Sequence, residues 1–189
     1  NYNGTKTVNS SIISSVGGVI GSETLTVSGS GTLNLAGAGA RTIASEGTLA
    51  LGNGTNGGLG ANYKIDGGTH TVTINPKPVT ISGTKQYDGD TVVHSNSTEA
   101  QINLGVVGES LLWTGNGISA SANVGTQNVA TGTWALADQV SAASNYTFSG
   151  ASMTIDITPR PVRLTGTRQY DGTTDVDGST IASYTAQGT

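Results

Sequence analysis

Residues 76–91 read PKPVTISGTKQYDGDT, and residues 159–174 read PRPVRLTGTRQYDGTT. One spacing runs through both stretches: Pro76 to Pro159, Pro78 to Pro161 and Tyr87 to Tyr170 are each 83 residues apart. Asn62-Tyr63 and Asn145-Tyr146 hold the same offset upstream. The N-terminus joins at 85, where Tyr2-Asn3-Gly4-Thr5 resembles Tyr87-Asp88-Gly89-Asp90. Gly18-Val19-Ile20-Gly21 matches Gly105-Val106-Val107-Gly108 at 87, so short insertions separate the anchors. Chance does not hold a register over so many positions. The expected organisation is a first repeat at 1–75 that lacks its leading Pro-x-Pro strand, a complete second repeat at 76–158, and the start of a third at 159–189.

A period near 83 residues is too long for a solenoid rung or propeller blade, which run from about 20 to 50. It suits a small domain that buries only about 60–65% of its unfolded surface and gains from neighbours. Within a repeat, apolar residues alternate with polar ones, as in Thr71-Val72-Thr73-Ile74, Met153–Thr158, Val79/Ile81 and Val162/Leu164. That is the period of strands. The predicted class is therefore all-β or nearly so: tandem small β-sandwich or β-grasp-like domains, strung as beads. Asn53-Gly54, Asn56-Gly57 and Asn116-Gly117 are read as turns, and Gly52–Gly58 as a hairpin connection. Ser97–Ile102 is the one stretch read as the start of a short helix, capped by Ser97 or Thr98. Each Pro-x-Pro holds the chain extended and removes two amide donors, so Pro76/Pro78 and Pro159/Pro161 are read as stiff joints between strands.

Composition narrows the function. The 189 residues include 29 Gly, 29 Thr, 20 Ser and 14 Asn, while Val, Ile, Leu and Phe total only 39. Charged residues are 11% of the chain, too few for charge-driven disorder. Eight Lys and Arg against twelve Asp and Glu give a net charge of −4, which does not supply the basic surface of a nucleic-acid binder. No apolar run approaches the roughly 20 residues of a membrane span, so membrane insertion is not expected. With no Cys, disulfides and thiolate metal sites are absent. The sequence has no initiator Met and no basic-then-apolar leader, so it reads as an internal piece of a longer protein.

Catalytic groups are sparse. His70, placed in a strand, and His94, placed in a loop, lie 24 residues apart without a metal-spaced partner. No nucleophile elbow or phosphate loop is present. Glu99 and Glu109 are the nearest acid pair by sequence. Neither a catalytic residue nor a cofactor is expected. Asp171, Asp175 and Asp177 are the nearest candidates for a cation, calcium first, but their spacing is not that of a calcium loop and no Glu follows. Five Asn-x-Ser/Thr sequons occur, of which Asn9, Asn53 and Asn96, placed in loops, are the candidate glycosylation sites.

Lys85-Gln86-Tyr87-Asp88-Gly89-Asp90-Thr91 and Arg168-Gln169-Tyr170-Asp171-Gly172-Thr173-Thr174 resemble the signature of the YDG repeats of filamentous-haemagglutinin-like bacterial surface adhesins, many of them exported by two-partner secretion. The order that follows is also similar: Gly105–Glu109, Asn123-Val124-Gly125-Thr126, Ser144–Thr147, then Ile157-Thr158-Pro159. Residues 1–75 match loosely, with Asn3 in place of the Asp and no clear counterpart of Asn123–Thr126 near Ala38–Thr42. The resemblance implies a secreted, outer-membrane-associated cell-surface protein with roles in cell adhesion and biofilm. The expected function is a spacer or stalk that projects a distal binding region; the alternative is that the repeats themselves grip a carbohydrate or host protein through aromatics such as Trp113. In either case Tyr87-Asp88-Gly89 and Tyr170-Asp171-Gly172 are read as a turn in which Asp accepts amides, Gly takes a positive φ and Tyr covers the core edge. Partners expected are neighbouring repeats and, head to tail, another copy whose Val162–Arg168 strand adds to the open edge of repeat one.

Overall fold

The computed structural model describes residues 1–65, 70–95, 98–181 and 183–186. The fold is almost all β, with 43% of residues in strands and, among the described residues, four short 3-10 turns and no helix of seven residues or more; none of the described helices is long and apolar enough to cross a membrane. Two compact units interleave along the chain. One comprises 1–79, 104–112 and 136–151; the other comprises 80–103, 113–135 and the chain from Ser152 on.

In the first unit, β1 (Thr7–Asn9), β3 (Ser30–Leu33), β4 (Gly39–Ser45) and β6 (Thr71–Ile74) form an antiparallel sheet in that order. A ribbon of β2 (Leu25–Ser28) and β5 (Ala50–Asn53) accompanies it. The inward positions are the alternate residues that the sequence pattern selects: Val8 and Leu33 are fully buried, and Tyr2 joins them.

A larger, seven-stranded sheet is the other main element. Its strands are β7 (Lys77–Ser82), β8 (Thr84–Gln86), β9 (Val92–His94), β10 (Gln101–Asn103), β12 (Asn116–Ser119), β13 (Gly125–Ala130) and β15 (Tyr146–Thr158). The order is β10-β7-β15-β13-β12-β9, with β8 parallel to β15. Its core is Val79, Ile81, Val93, Ile155 and Ile157. β11 (Leu112–Thr114) pairs with β14 (Ala135–Ala137), and β16 (Val162–Thr165) pairs with β17 (Ser183–Ala186). Pro76 lies between β6 and β7, and Pro159 to Pro161 lie between β15 and β16, but Pro78 is the second residue of β7, a strand paired with both β10 and β15, so it is not a joint between strands. The repeat boundaries at 75/76 and 158/159 are a matter of sequence register, and the compact units divide the chain differently.

Details recur in the two sheets. Val8 opposes Gly31 across β1–β3, and Val93 opposes Gly117 across β9–β12. Gly39 opposes Ile74 and Gly125 opposes Ile157, with φ of 114° and 123°. Gly39 is thus the counterpart of Gly125 that the side chains of Ala38–Thr42 conceal. Thr48 donates its amide to Ser30 O at 2.8 Å, as Thr133 does to Asn116 O at 2.8 Å. At the neighbouring corners Gly29 and Gly115 have φ of 84° and 91°, and a Cβ there would lie 2.0 and 2.3 Å from the carbonyl oxygens of Thr48 and Thr133. Neither corner tolerates a side chain.

Three expectations change. Gln101–Asn103 is a strand, not a helix: Ala100 and Leu104 are buried and Ile102 half-buried, an alternation of period two, and Ile102 faces Ile81 of β7. Ser97, named as a cap, lies outside the described residues. Asn116-Gly117 is not a turn but part of β12; the glycine is needed because a Cβ would meet the Trp134 ring at 2.5 Å. Gly52–Gly58 leads from β5 into a 3-10 turn at Gly60–Asn62, so it is not a hairpin connection, although Asn56 and Gly57 do turn with positive φ of 55° and 87°. Histidines also trade places: His94 ends β9, and His70 precedes β6.

Candidate functional site: a carboxylate between two tyrosines

The first unit gathers a tight polar–aromatic cluster around Glu109. The Gly105–Gly108 loop, with φ of 62° and 79° at its two glycines, turns the chain so that Glu109 N–H reaches Val106 O. Lys77 Nζ donates to Gly105 O at 2.6 Å and pins the loop's start. A 3-10 turn at Ala143–Asn145 delivers Tyr146; its entry is held by Asp138, which accepts the Ala143 amide at 2.7 Å. Tyr2 arrives from the N-terminal segment, whose amide donates to Asn75 O at 2.8 Å.

The Tyr146 hydroxyl donates to Glu109 Oε2 at 2.5 Å, and the Tyr2 hydroxyl donates to Glu109 Oε1. The two rings meet edge to face with centroids 5.5 Å apart, the favoured geometry of an aromatic pair. Both tyrosines are buried. Buried Asn145 completes the floor by accepting the Ala38 amide at 2.8 Å. Gly4 is required beside it: its φ is 80°, and a Cβ would stand 2.9 Å from Val106 Cγ1.

Burial alone pushes the Glu109 carboxyl up, but hydrogen bonds from Tyr146, Tyr2 and Ser141, with the Lys77 charge, outweigh it and hold the group below the usual carboxylate range. Burial first, and then the bond to an anionic acceptor, pushes the Tyr2 phenol up to about 12 and raises Tyr146 as well. All three shifts favour one state: an ionised carboxylate accepting from two neutral phenols. Such an arrangement clamps segments together. Each of its two oxygens accepts from one phenol.

Sequence reasoning did not assemble this cluster, because its members are 107 and 37 residues apart. A signal was nonetheless present in the register. Glu23 stands 86 residues before Glu109, and Tyr63 stands 83 before Tyr146. These two pair likewise: the Tyr63 hydroxyl donates to Glu23 Oε2 and accepts the Ile20 amide at 3.1 Å. The bond to Glu23 raises Tyr63 above the ordinary phenol value.

The Tyr-Asx-Gly segments share one turn. Asn3 Oδ1 accepts the Thr5 amide, Asp88 Oδ1 the Asp90 amide and Asp171 Oδ1 the Thr173 amide, each at 3.0 Å. Gly4, Gly89 and Gly172 follow with φ of 80°, 84° and 78°. The flanking cations differ. Lys85 is buried, donating to Val92 O at 2.5 Å and lying 3.2 Å from Asp88 Oδ1. Arg168 reaches Asp171 Oδ1 at 2.5 Å on an exposed surface. The tyrosines differ too, from buried Tyr2 through partly exposed Tyr87 to Tyr170 at 93% exposure.

The remaining candidates are scattered. Asp171 serves the turn just described, and Asp177 accepts the Ser179 amide at 2.7 Å; neither comes together with Asp175, and the described residues contain no group of three or more metal-ligating side chains. Glu99 accepts the His94 amide at 2.8 Å, while Glu109 serves the tyrosines. His94 Nδ1 lies 2.9 Å from Asn116 Oδ1. Trp113 is half-buried against Trp134, ring centroids 5.1 Å apart. Asn9 and Asn53 close strands β1 and β5 instead of lying in loops, and Asn53 Oδ1 accepts the Gly60 amide at 2.9 Å; Asn96 is outside the described residues.

Residues 70–155 match the family model of the YDG domain, so a YDG domain is found there. No curated protein and no solved structure matches the chain.

Proposed function

We propose, from the YDG domain at residues 70–155, that this chain is a non-catalytic spacer segment of a large secreted bacterial adhesin of the filamentous-haemagglutinin type. In this reading the segment is a tandem array of β-domains whose task is to hold a distal binding region away from the cell surface. The observation that carries it is the recurrence of one set of contacts at matching positions: the Gly29/Gly115 corners, the Gly39–Ile74 and Gly125–Ile157 pairings, and the Tyr63–Glu23 and Tyr146–Glu109 bonds. What recurs is scaffold, down to glycines that leave no room for a Cβ. The Tyr2–Glu109–Tyr146 clamp supports the same reading, since it ties a segment of the first repeat to two segments of the second without exposing a reactive group.

A surface of Ser, Thr and Asn with low charge suits a rod that must stay soluble and make few chance contacts. The rival reading, in which Trp113 grips a ligand, has less to draw on because that half-buried ring packs at a tilt against Trp134. The test is binding of the full chain to a glycan array and to extracellular host proteins. A spacer gives no saturable signal; saturable binding that Trp113→Ala abolishes replaces the spacer with a receptor-binding module.

A further inference from the structure

Five strands of the larger sheet run β8-β15-β13-β12-β9, with the end of β15 flanked by β8 on one edge and β13 on the other. The two ends of that run, β8 and β9, are consecutive in the chain, yet among the described residues no main-chain ladder pairs them. What crosses between them is Lys85. It is 4% exposed, and its ammonium donates to Val92 O at 2.5 Å and to Asp90 O at 3.1 Å and lies 3.2 Å from Asp88 Oδ1. Three protons thus meet three acceptors. A buried cation is costly unless it is paired and hydrogen-bonded, and this one is both.

The pairing of β9 explains what the ammonium answers. Ser119 N–H donates to Thr91 O at 2.9 Å and Ser95 N–H donates to Gly115 O at 3.2 Å, with Val93 opposite Gly117 between them. The main-chain groups of Thr91, Val93 and Ser95 therefore face β12. Alternation along an antiparallel ladder turns those of Val92 and His94 the other way, to the opposite edge of β9. Side chains meet them there. Val92 N–H donates to Asp90 Oδ1 at 2.9 Å, Val92 O accepts from Lys85, and His94 N–H donates to Glu99 Oε2 at 2.8 Å. Only 11% of the chain is charged, and three charged side chains converge on one short strand. An unpaired strand edge is a template for another chain, and charged side chains are a common obstruction to it.

The third signature shows which part is built locally. Arg168 holds the place of Lys85, and it donates to Asp171 Oδ1 at 2.5 Å and to Thr173 O, as Lys85 reaches Asp88 and Asp90 O. Cation, Asx turn and the carbonyl five residues on form within one signature; the bond to Val92 O adds the strand.

We infer that the Lys85–Asp90 signature is an edge seal. The Lys85 ammonium, held by Asp88, takes the place of a strand along β9, ties it to β8, and bars pairing with the β9 of a second copy of this chain. That copy is the natural intruder. Antiparallel about Val93, Val92 of one copy faces His94 of the other, so the outward groups of the strand are complementary to themselves. The seal stands on contacts inside the second unit and is independent of the spacer reading.

Measurements on the full chain test it. Lys85→Met keeps the length of the side chain and removes its donors. Amide exchange at Val92 and His94 is then expected to quicken about tenfold or more, while Val93 and Ser119, bonded across β9 and β12, stay protected. In sedimentation equilibrium the variant's mean mass rises with concentration more steeply than the parent's, and adding Glu99→Ala steepens it again. Lys85→Arg, the choice made at Arg168, restores both readouts. Should Lys85→Met not fold, the parent and Glu99→Ala decide: NMR of the parent shows slowly exchanging Lys85 ammonium protons coupled to the Val92 carbonyl, and Glu99→Ala alone raises association. A folded Lys85→Met with unchanged edge exchange overturns the inference, and so does faster exchange without added association. An arginine no better than methionine overturns it too, as do ammonium protons that exchange freely with water or a Glu99→Ala that associates no more than the parent. A glycan-binding result would overturn the spacer and leave these outcomes untouched.

Discussion

β6 and the C-terminal half of β15 are the same strand in two settings. Each alternates polar and aliphatic residues, each pairs antiparallel with a strand that opens on a positive-φ glycine, and each ends one or two residues before a Pro-x-Pro. Yet Ile155 and Ile157 are fully buried and Val72 and Ile74 are not. Composition does not account for the difference, but pairing does: the end of β15 has β13 on one edge and β8 on the other, whereas among the described residues β6 pairs with β4 alone. In a chain this poor in aliphatic residues, a single strand decides whether a sheet face becomes a core.

The largest expected effect follows directly. Ile157→Ala should cost about 3–4 kcal/mol by urea unfolding, in the range for truncating a buried aliphatic, whereas Ile74→Ala should cost about 1 kcal/mol. Equal costs would break the comparison, as they would mean that the two faces are covered alike. Next is Gly117→Ala, which drives a methyl into Trp134 and Val129 at 2.5 and 2.7 Å; we expect about 2 kcal/mol of overpacking and a change in Trp fluorescence. The matching Gly31→Ala, which faces no aromatic ring, should leave the fluorescence unchanged.

A smaller contrast separates the two carboxylates. Tyr146→Phe removes a bond from a buried phenol to Glu109 and should cost about 1–2 kcal/mol, while Tyr63→Phe, at a less buried phenol, should cost less. pH sharpens this. The Glu109 carboxyl lies below its ordinary value of 4.5 in the fold, so its contribution is present above that value and is lost as pH falls through the acid range. Tyr2 lies above its ordinary 10, at about 12, so its contribution is full below 10 and is lost as pH rises through 12. Glu109→Gln should flatten the acid limb of the stability profile, read by thermal unfolding from pH 5 down. The smallest effect expected, read by urea unfolding, is at the Asx turns: Asp88→Asn, next to buried Lys85, should cost more than Asp171→Asn, whose ion pair is exposed.

Local alternation was enough to read β6, β7 and the end of β15, because each buries every second residue. The Asx-Gly turns were equally legible, since a short side-chain acceptor and a positive φ are decided within three residues. Ser97–Ile102 misled because helix-cap chemistry is visible in sequence and the covering strand is not; pairing of Ile102 with Ile81 won. Asn116-Gly117 misled for a related reason. Its glycine answers to an indole 17 residues later rather than to backbone conformation, and only the coordinates reveal that approach. The Glu109 cluster was legible only as a register: Glu23/Glu109 and Tyr63/Tyr146 recur at nearly one spacing, which marks the pairs without saying that the hydroxyls meet the carboxylates or that Tyr2 joins them.

The parallel pairing of β8 with the end of β15 bears on how the chain would carry tension. Asp156 faces Thr84 and Thr158 faces Gln86, so a pull entering at Gly83 and leaving at Pro159 acts on opposite ends of the ladder. Its hydrogen bonds are then loaded together in shear and do not unzip one at a time. A chain drawn taut across this ladder would load its bonds together just before Pro159.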